Sequence, residues 1–196
     1  MRSAEATRKT LETQVTARVN LDGSGTFSGE TGIGFLDHML SQLARHGVFD
    51  IEVHAAGDLE VDSHHTVEDV AITLGQAFNQ ALGDRNGIVR MGSAAVPMEE
   101  ALALAAVDAG GRPACRFEGG FAGDRVGEMD TQLIPHFLDS FARTARANVH
   151  IHLLSGDNDH HRAEAAFKAL ARALDQATAI DPRRAGQVPS TKGTLT

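Results

Sequence analysis

The sequence predicts an α+β domain assembled from two copies of one half-domain, each a sheet with helices on one face, related by a pseudo-two-fold. Three observations carry that expectation. Stretches that alternate apolar and polar residues are interleaved with stretches whose apolar residues recur every three to four positions, the signatures of half-buried strands and amphipathic helices. The order of these stretches in the first part of the chain returns in the second. No segment rich in Pro, Gly or Ser separates the two. They are therefore expected to share one core in a single domain, 1–196, with halves at about 10–96 and 97–180 and a tail at 181–196.

The elements follow in order. Residues 11–21 place Leu11, Val15, Ala17, Val19 and Leu21 on one side and Glu12, Gln14, Thr16, Arg18 and Asn20 on the other, a half-buried strand. Asp22-Gly23-Ser24-Gly25 reads as a turn, after which 26–28 returns as a second strand. Phe35, Leu36, Met39, Leu40 and Leu43 form a helical stripe that stops at Gly47. Phe49, Ile51, Val53 and Ala55 alternate again, as in a strand. A long helix follows from His64, with Val67, Val70, Leu74, Phe78 and Leu82 inward and Gly83 as its stop. In the second half, 101–107 and 113–117 are strand candidates, the first alanine-rich. LIPHFLDSFARTARA then echoes FLDHMLSQLARHGV, NVHIHLLSGD echoes DIEVHAAGD, and DHHRAEAAFKALARAL echoes SHHTVEDVAITLGQAF. The tail, with Pro182, Gly186, Pro189 and Gly193, should be irregular. Its basic and hydroxyl residues suit a partly ordered functional segment.

Composition narrows the function. Hydrophobic residues at 42% and charged residues at 22% are ordinary for a globular protein. A net charge of −8 argues against nucleic-acid binding and requires a local basic pocket for any anionic substrate. The single cysteine, Cys115, excludes an intrachain disulfide framework and reads as a small buried apolar residue. The first residues lack an apolar leader and no apolar run approaches membrane length, so a cytoplasmic protein without membrane contact is expected. The informative oddity is ten histidines beside no Trp and no Tyr.

Those histidines are patterned. His64-His65 with Glu68, and His160-His161 with Glu164, give His-His-x-x-Glu at two expected helix starts. Positions i and i+4 share a helix face, whereas i and i+1 point about 100° apart. His64 with Glu68 can therefore grip one ion and His160 with Glu164 another, while His65 and His161 must aim elsewhere. His38 and His136, on the preceding helices, complete a set of six histidines and two glutamates, four protein ligands for each of two ions. The simplest reciprocal arrangement gives one ion His38, His64, Glu68 and His161, and the other His136, His160, Glu164 and His65. Each site then borrows a histidine from the other half, on the same or another subunit. Imidazole and carboxylate without thiolate suit Mn, Fe, Co, Ni or Zn, and an open four-ligand set favours an octahedral ion such as Mn²⁺ over a closed zinc site. A surface His-His pair alone is commonplace. Its repetition, with a glutamate after it and a histidine 26 or 24 residues before it, is what points to metal. His46, His54, His150 and His152 lack such company, and the last three, on strands, are expected to be exposed or structural.

GFLDHML (34–40), DSHHTVED (62–69), GDNDHHRAEAAFKA (156–169) and VPSTKG (188–193) are similar to signature blocks of imidazoleglycerol-phosphate dehydratases, over nearly the whole chain from about residue 10. That resemblance implies half-domains of the ribosomal protein S5 domain 2-like type. It also implies loss of water from D-erythro-imidazole glycerol phosphate to give imidazole acetol phosphate, in L-histidine biosynthesis. His38, His64, His65, Glu68, His136, His160, His161 and Glu164 match the family's ligands for two Mn²⁺ per active site, and Glu12 matches its acid/base carboxylate. Arg90, Arg112, Lys168, Ser190 and Lys192 match residues holding the phosphate and glycerol arm, and Gln42 matches a further substrate contact. The family assembles as a 24-subunit homo-oligomer with active sites where subunits meet. Gly34, Pro135 and His152 depart from the family pattern; none is a ligand.

The residues themselves support these roles unevenly. Glu12, on the polar face of a strand, is by itself an ordinary solvated carboxylate. Lys168 stands at i+4 from Glu164 and brings positive charge to the ligand face of its helix. Arg90 and Arg112 adjoin glycines, where a flexible loop can carry guanidinium to phosphate. Two other readings remain. A two-metal phosphate-ester hydrolase would want a bridging carboxylate, which the repeat does not obviously offer, and a metal-storage protein would leave the basic set unexplained.

Overall fold

The structure is a computed structural model that describes residues 2–184 and 186–195. The first half runs β1 (Ser3–Lys9), β2 (Thr13–Asn20), β3 (Phe27–Glu30), α1 (Gly34–Gly47), β4 (Asp50–Gly57) and α2 (His64–Leu82). The second runs β5 (Met91–Met98), β6 (Ala101–Asp108), β7 (Ala114–Glu118), a small β8–β9 hairpin (Arg125–Val126 and Met129–Asp130), α3 (Leu133–Ala145), β10 (Asn148–Ser155) and α4 (Asp159–Thr178). A 3-10 turn, Pro182–Arg184, opens the tail, whose residues 185 and 196 lie outside the described set.

The two sheets have the same plan. The first is ordered β1-β2-β4-β3 and the second β5-β6-β10-β7; the last pair in each is parallel and the others are antiparallel. Register identifies counterparts: Val19 pairs with Ile51 as Val107 pairs with Val149. The chain is therefore a duplication, interrupted only by β8–β9.

Crossed helix packing ties the two halves together. α2 lies on β1 and β2, and α4 on β5 and β6, but α1 packs against α4 and α2 against α3. The helices thus form a layer between two sheets, and one aromatic chain runs through it. Phe49 and Phe78 meet edge-on at 5.1 Å, Phe78 and Phe141 at 5.3 Å, and Phe137 and Phe167 at 5.3 Å, all fully buried. Truncating any of these to Ala would cost about 3–5 kcal/mol. Close approach relies on missing side chains: a Cβ on Gly75 would lie 2.1 Å from Thr144 Oγ1 in the α2–α3 contact, and one on Gly92 would lie 2.1 Å from Ala173 O beneath α4. The same need explains the alanine-rich β6 and α4, whose Ala103, Ala105, Ala166, Ala169 and Ala173 are wholly buried.

Several expectations need correction. Leu11 is fully exposed rather than inward, because β2 begins only at Thr13. Thr10 Oγ1 accepts the N–H groups of Glu12 (3.1 Å) and Thr13 (2.9 Å), curling 10–13 into a turn. β3 pairs in parallel with β4 and does not return against β2. β1, β5 and the β8–β9 hairpin carry no clear apolar alternation and were not foreseen. The expected boundary between 96 and 97 falls inside β5, which pairs with β6. No helix among the described residues is long and apolar enough to cross a membrane.

Candidate metal centre

The helix starts are fixed before any ion is considered. Asn158 Oδ1 accepts the N–H groups of His160 (2.9 Å) and His161 (3.3 Å), capping α4. At α2 the N–H of His64 donates to Asp62 Oδ1 (2.7 Å). Because α1 packs against α4, His38 is carried to the first turn of α4. His38 Nε2 lies 3.0 Å from Glu164 Oε2, and His160 Nε2 lies 3.2 Å from the same oxygen. Because α3 packs against α2, His136 reaches the other pair: its Nε2 is 3.2 Å from Glu68 Oε1, and its ring centroid is 4.6 Å from that of His64. In each triad one ligand atom per residue falls within 4.8 Å of the others.

Each triad draws on both halves, but the exchange differs from the one expected. His38 joins His160 and Glu164, and His136 joins His64 and Glu68, so the histidine that crosses between halves is the lone one of α1 or α3. The grouping of His38 with His64 and Glu68, and of His136 with His160 and Glu164, is overturned by the crossed helix packing.

The residues present fit a divalent ion. Each triad offers two imidazoles and one carboxylate, a mixed N/O set. His136 Nε2 is buried without a hydrogen bond, since its approach to Glu68 is not aligned for one. An orphaned nitrogen facing a carboxylate and a second imidazole is what an absent cation explains.

His65 and His161 belong to neither triad. His65 Nδ1 is 3.0 Å from Asp58 Oδ2 and 3.7 Å from Glu12 Oε2, and His161 Nδ1 is 2.8 Å from Glu100 Oε2. The hydrogen bonds that Asp58 and Glu100 accept raise the pKa of each imidazole above its usual value. Glu100 is held down to about 2 by the Asn158 N–H first and by His161 second. Glu99, Glu100 and His161 form a third, more exposed cluster of donors. In the second triad, burial opposes ionisation of Glu164. The Lys168 ammonium, 2.5 Å from Oε1, and then His38 outweigh it and hold the carboxyl down to about 2.

The basic residues gather elsewhere. A groove of about 620 Å³ is lined by Arg90, Arg112, Arg184, Ser190 and Lys192, among others, and contains none of the triad residues. Arg90 is not loosely held: Asp108 takes its Nε at 2.7 Å and Nη2 at 2.8 Å, and Pro189 O takes Nη1 at 2.9 Å. Gln42 lies on α1 with Oε1 3.2 Å from His46 Nε2.

The model of the family described as imidazoleglycerol-phosphate dehydratase matches residues 31–174. A relative of that name from a Roseiflexus species is 56% identical over 99% of this chain and 98% of its own, and one from Chloroflexus aggregans is 57% identical over 99% and 95%. The crystal structure of the dehydratase from Staphylococcus aureus superposes with a TM-score of 0.83 at 34% identity, covering 91% of this chain and 99% of that one. The structure of the Pyrococcus furiosus protein gives 0.81 at 35%, covering 96% and 99%. The chain belongs to the imidazoleglycerol-phosphate dehydratase family. It is therefore a hydro-lyase.

For a dehydratase of this family, sequence reading named the residues of both triads but not the groups around them. Asp58 and Glu100 were not singled out, nor was Asp69, buried in α2, which takes Arg8 Nε at 2.6 Å and the Thr13 hydroxyl and so anchors the turn carrying Glu12. A carboxylate is unremarkable in sequence; only its neighbours reveal its work. Arg184 could have been found from the basic run after Pro182.

Proposed function

We propose that the chain converts D-erythro-imidazole glycerol phosphate to imidazole acetol phosphate in cytoplasmic L-histidine biosynthesis, with two Mn²⁺ per active site. The observation that carries this is the pair of triads: His38, His160 and Glu164 hold one ion, and His64, Glu68 and His136 the other. His65 and His161, turned from both triads of their own chain, complete the coordination in neighbouring subunits of a homo-oligomer of 24. Metal charge, when present, lowers the pKa of the substrate's imidazole N–H and favours the imidazolate, which supplies the push that a missing carbonyl cannot.

The chain does the rest. Glu12, exposed on its turn beside His65, takes the C2 proton on a carboxylate oxygen as the C3 hydroxyl leaves, and the resulting enol becomes the ketone. Arg112, Ser190 and Lys192 hold the phosphate, and Arg90, tied to Asp108 and Pro189 O, fixes the tail that brings Ser190 and Lys192 into the groove. Lys168 and Gln42 meet the glycerol arm. This grip orients C2 and C3, so the reacting atoms need not be found by diffusion. A phosphate-ester hydrolase is disfavoured because each triad has its own glutamate and none is shared.

The test is metal analysis of the purified protein joined to a dehydratase assay with and without Mn²⁺. About two Mn²⁺ per chain and Mn²⁺-restored ketone formation are expected. Phosphate release instead would move the chain to the hydrolase class. Chelation should also reduce particle size, and an unchanged particle after verified metal removal would refute the shared-ligand assembly.

A further inference from the structure

The strand registers make Glu100 the duplicated counterpart of Glu12. Val19 pairs with Ile51 and Val107 with Val149; Glu12 lies seven residues before Val19, and Glu100 seven before Val107. Both carboxylates therefore sit at the start of the second strand of their sheets, beside the second histidine of their His-His pair. They are held differently. In the first half, Lys9 pairs with Gln14, the Thr10 N–H donates to Thr13 O (2.9 Å) across the turn, and Glu12 Oε2 is left 3.7 Å from His65. In the second, Met98 pairs with Ala101 across a two-residue turn with Glu99 at φ 49°, and Glu100 folds back on α4. There Oε1 accepts the N–H groups of Asp157 (3.2 Å) and Asn158 (2.9 Å) while Oε2 lies 2.8 Å from His161 Nδ1.

We propose that Glu100 is a positioning residue for His161: it fixes the Nδ1–H tautomer and the ring, leaving Nε2 as the metal-ligating nitrogen, while its counterpart Glu12 stays free for proton transfer. Asp58, 3.0 Å from His65 Nδ1, takes over that positioning in the first half, which is why Glu12 can be released from it. His161 Nε2 makes no hydrogen bond among the described residues, so Nδ1 is the atom that sets the tautomer. A carboxylate behind a ligating imidazole raises its basicity and orients it, and losing such a partner weakens metal affinity by about 10–100-fold. The inference rests on His161 being a ligand, as proposed above.

Manganese itself is the probe. Mn²⁺ is titrated into the intact, metal-stripped oligomeric protein, and bound metal is counted for wild type, Glu100→Ala, Glu100→Gln, Glu12→Gln, His161→Ala and Glu100→Ala/His161→Ala. Glu100→Ala is expected to weaken one of the two Mn²⁺ sites by about 10–100-fold. Glu100→Gln, which keeps an acceptor for Nδ1–H and for the two loop amides, should recover most of that loss. Glu12→Gln should leave binding unchanged. The double variant should bind no more weakly than His161→Ala alone. Wild-type affinity in Glu100→Ala, or additive losses in the double variant, would overturn the positioning role. If His161→Ala itself binds both ions normally, the ligand assignment fails instead, so the two failures are distinguishable. Should Glu100→Ala not fold, Glu100→Gln against His161→Ala carries the comparison: a Gln variant as weak as the His161 variant would overturn the tautomer argument.

Discussion

The two triads descend from one arrangement and have not stayed alike. Glu164 is nearly buried, with a side-chain exposure of 8%, and its second oxygen is taken by Lys168. Glu68 is 37% exposed, and Ile72 occupies the place corresponding to Lys168. Both halves keep two imidazoles and a carboxylate within reach of one another, while the groups around them differ. A similar divergence separates Glu12 from Glu100: one carboxylate has only a 3.7 Å contact to His65, the other is committed to a histidine and two amides. Function lies in what differs between the halves, and the fold in what they share.

The sharpest way to break that comparison is to neutralise the free carboxylate. Glu12→Gln is expected to lower kcat by about 10³-fold, within the span that general acid–base catalysis contributes, while Mn²⁺ stoichiometry and KM stay near wild type. Normal turnover in this variant would remove Glu12 from the mechanism and, with it, the contrast with Glu100.

Next in size is the contrast between the glutamates of the two triads. Glu68→Ala and Glu164→Ala should each remove one Mn²⁺ and leave the other. Their effects on the metal-free protein should differ, because Glu164→Ala strands the Lys168 ammonium, 15% exposed, against a largely apolar helix. Breaking such a pair costs about 3 kcal/mol, whereas the more exposed Glu68 should cost no more than about 1 kcal/mol. Denaturant midpoints at one fixed protein concentration would measure this. Equal destabilisation would mean that the asymmetry of burial has no energetic content.

Much of this was legible in the sequence, for identifiable reasons. The helices α1, α2, α3 and α4 each carry a continuous apolar stripe, and β2, β4 and β10 alternate cleanly, because each packs one face on the core. β1 shows only Ala6 buried, and β5 carries Pro97; such strands are defined by their pairing, which leaves little trace in composition. The residues of the triads were legible because His-His-x-x-Glu is a local helical pattern that occurs twice. Which lone histidine joins which pair was not, since that depends on α1 crossing to α4 and α3 to α2, a tertiary fact. Leu11 was misplaced because a threonine hydroxyl capturing two amides interrupts an alternation that looks unbroken.

The smallest effect concerns the first residues of β4 and β10, and it sharpens the comparison through pH. Register makes Asp50 and Asn148 counterparts. Asp50 Oδ1 accepts the Ser24 N–H (2.8 Å), the Thr26 hydroxyl (2.7 Å), the Ser24 hydroxyl (3.1 Å) and the Thr26 N–H (3.2 Å), and these donors, led by the Ser24 amide, lower its pKa well below the usual carboxylate range. Asn148 instead donates to Arg112 O (2.5 Å), steadying a residue of the basic groove. A group whose folded pKa is depressed contributes stability that is present above its unfolded pKa, about 3.9, and is lost as pH falls through the folded value. Asp50→Asn, which mimics the protonated form, should therefore cost about 1 kcal/mol at pH 7, with the gap to wild type closing in acid below about pH 4. A gap that widened in acid would show that the four donors do not favour the charged form. Asn148→Ala should show no such pH dependence. Its effect should fall on KM, by a few-fold, because what it loses is the hold on Arg112 and not a charge.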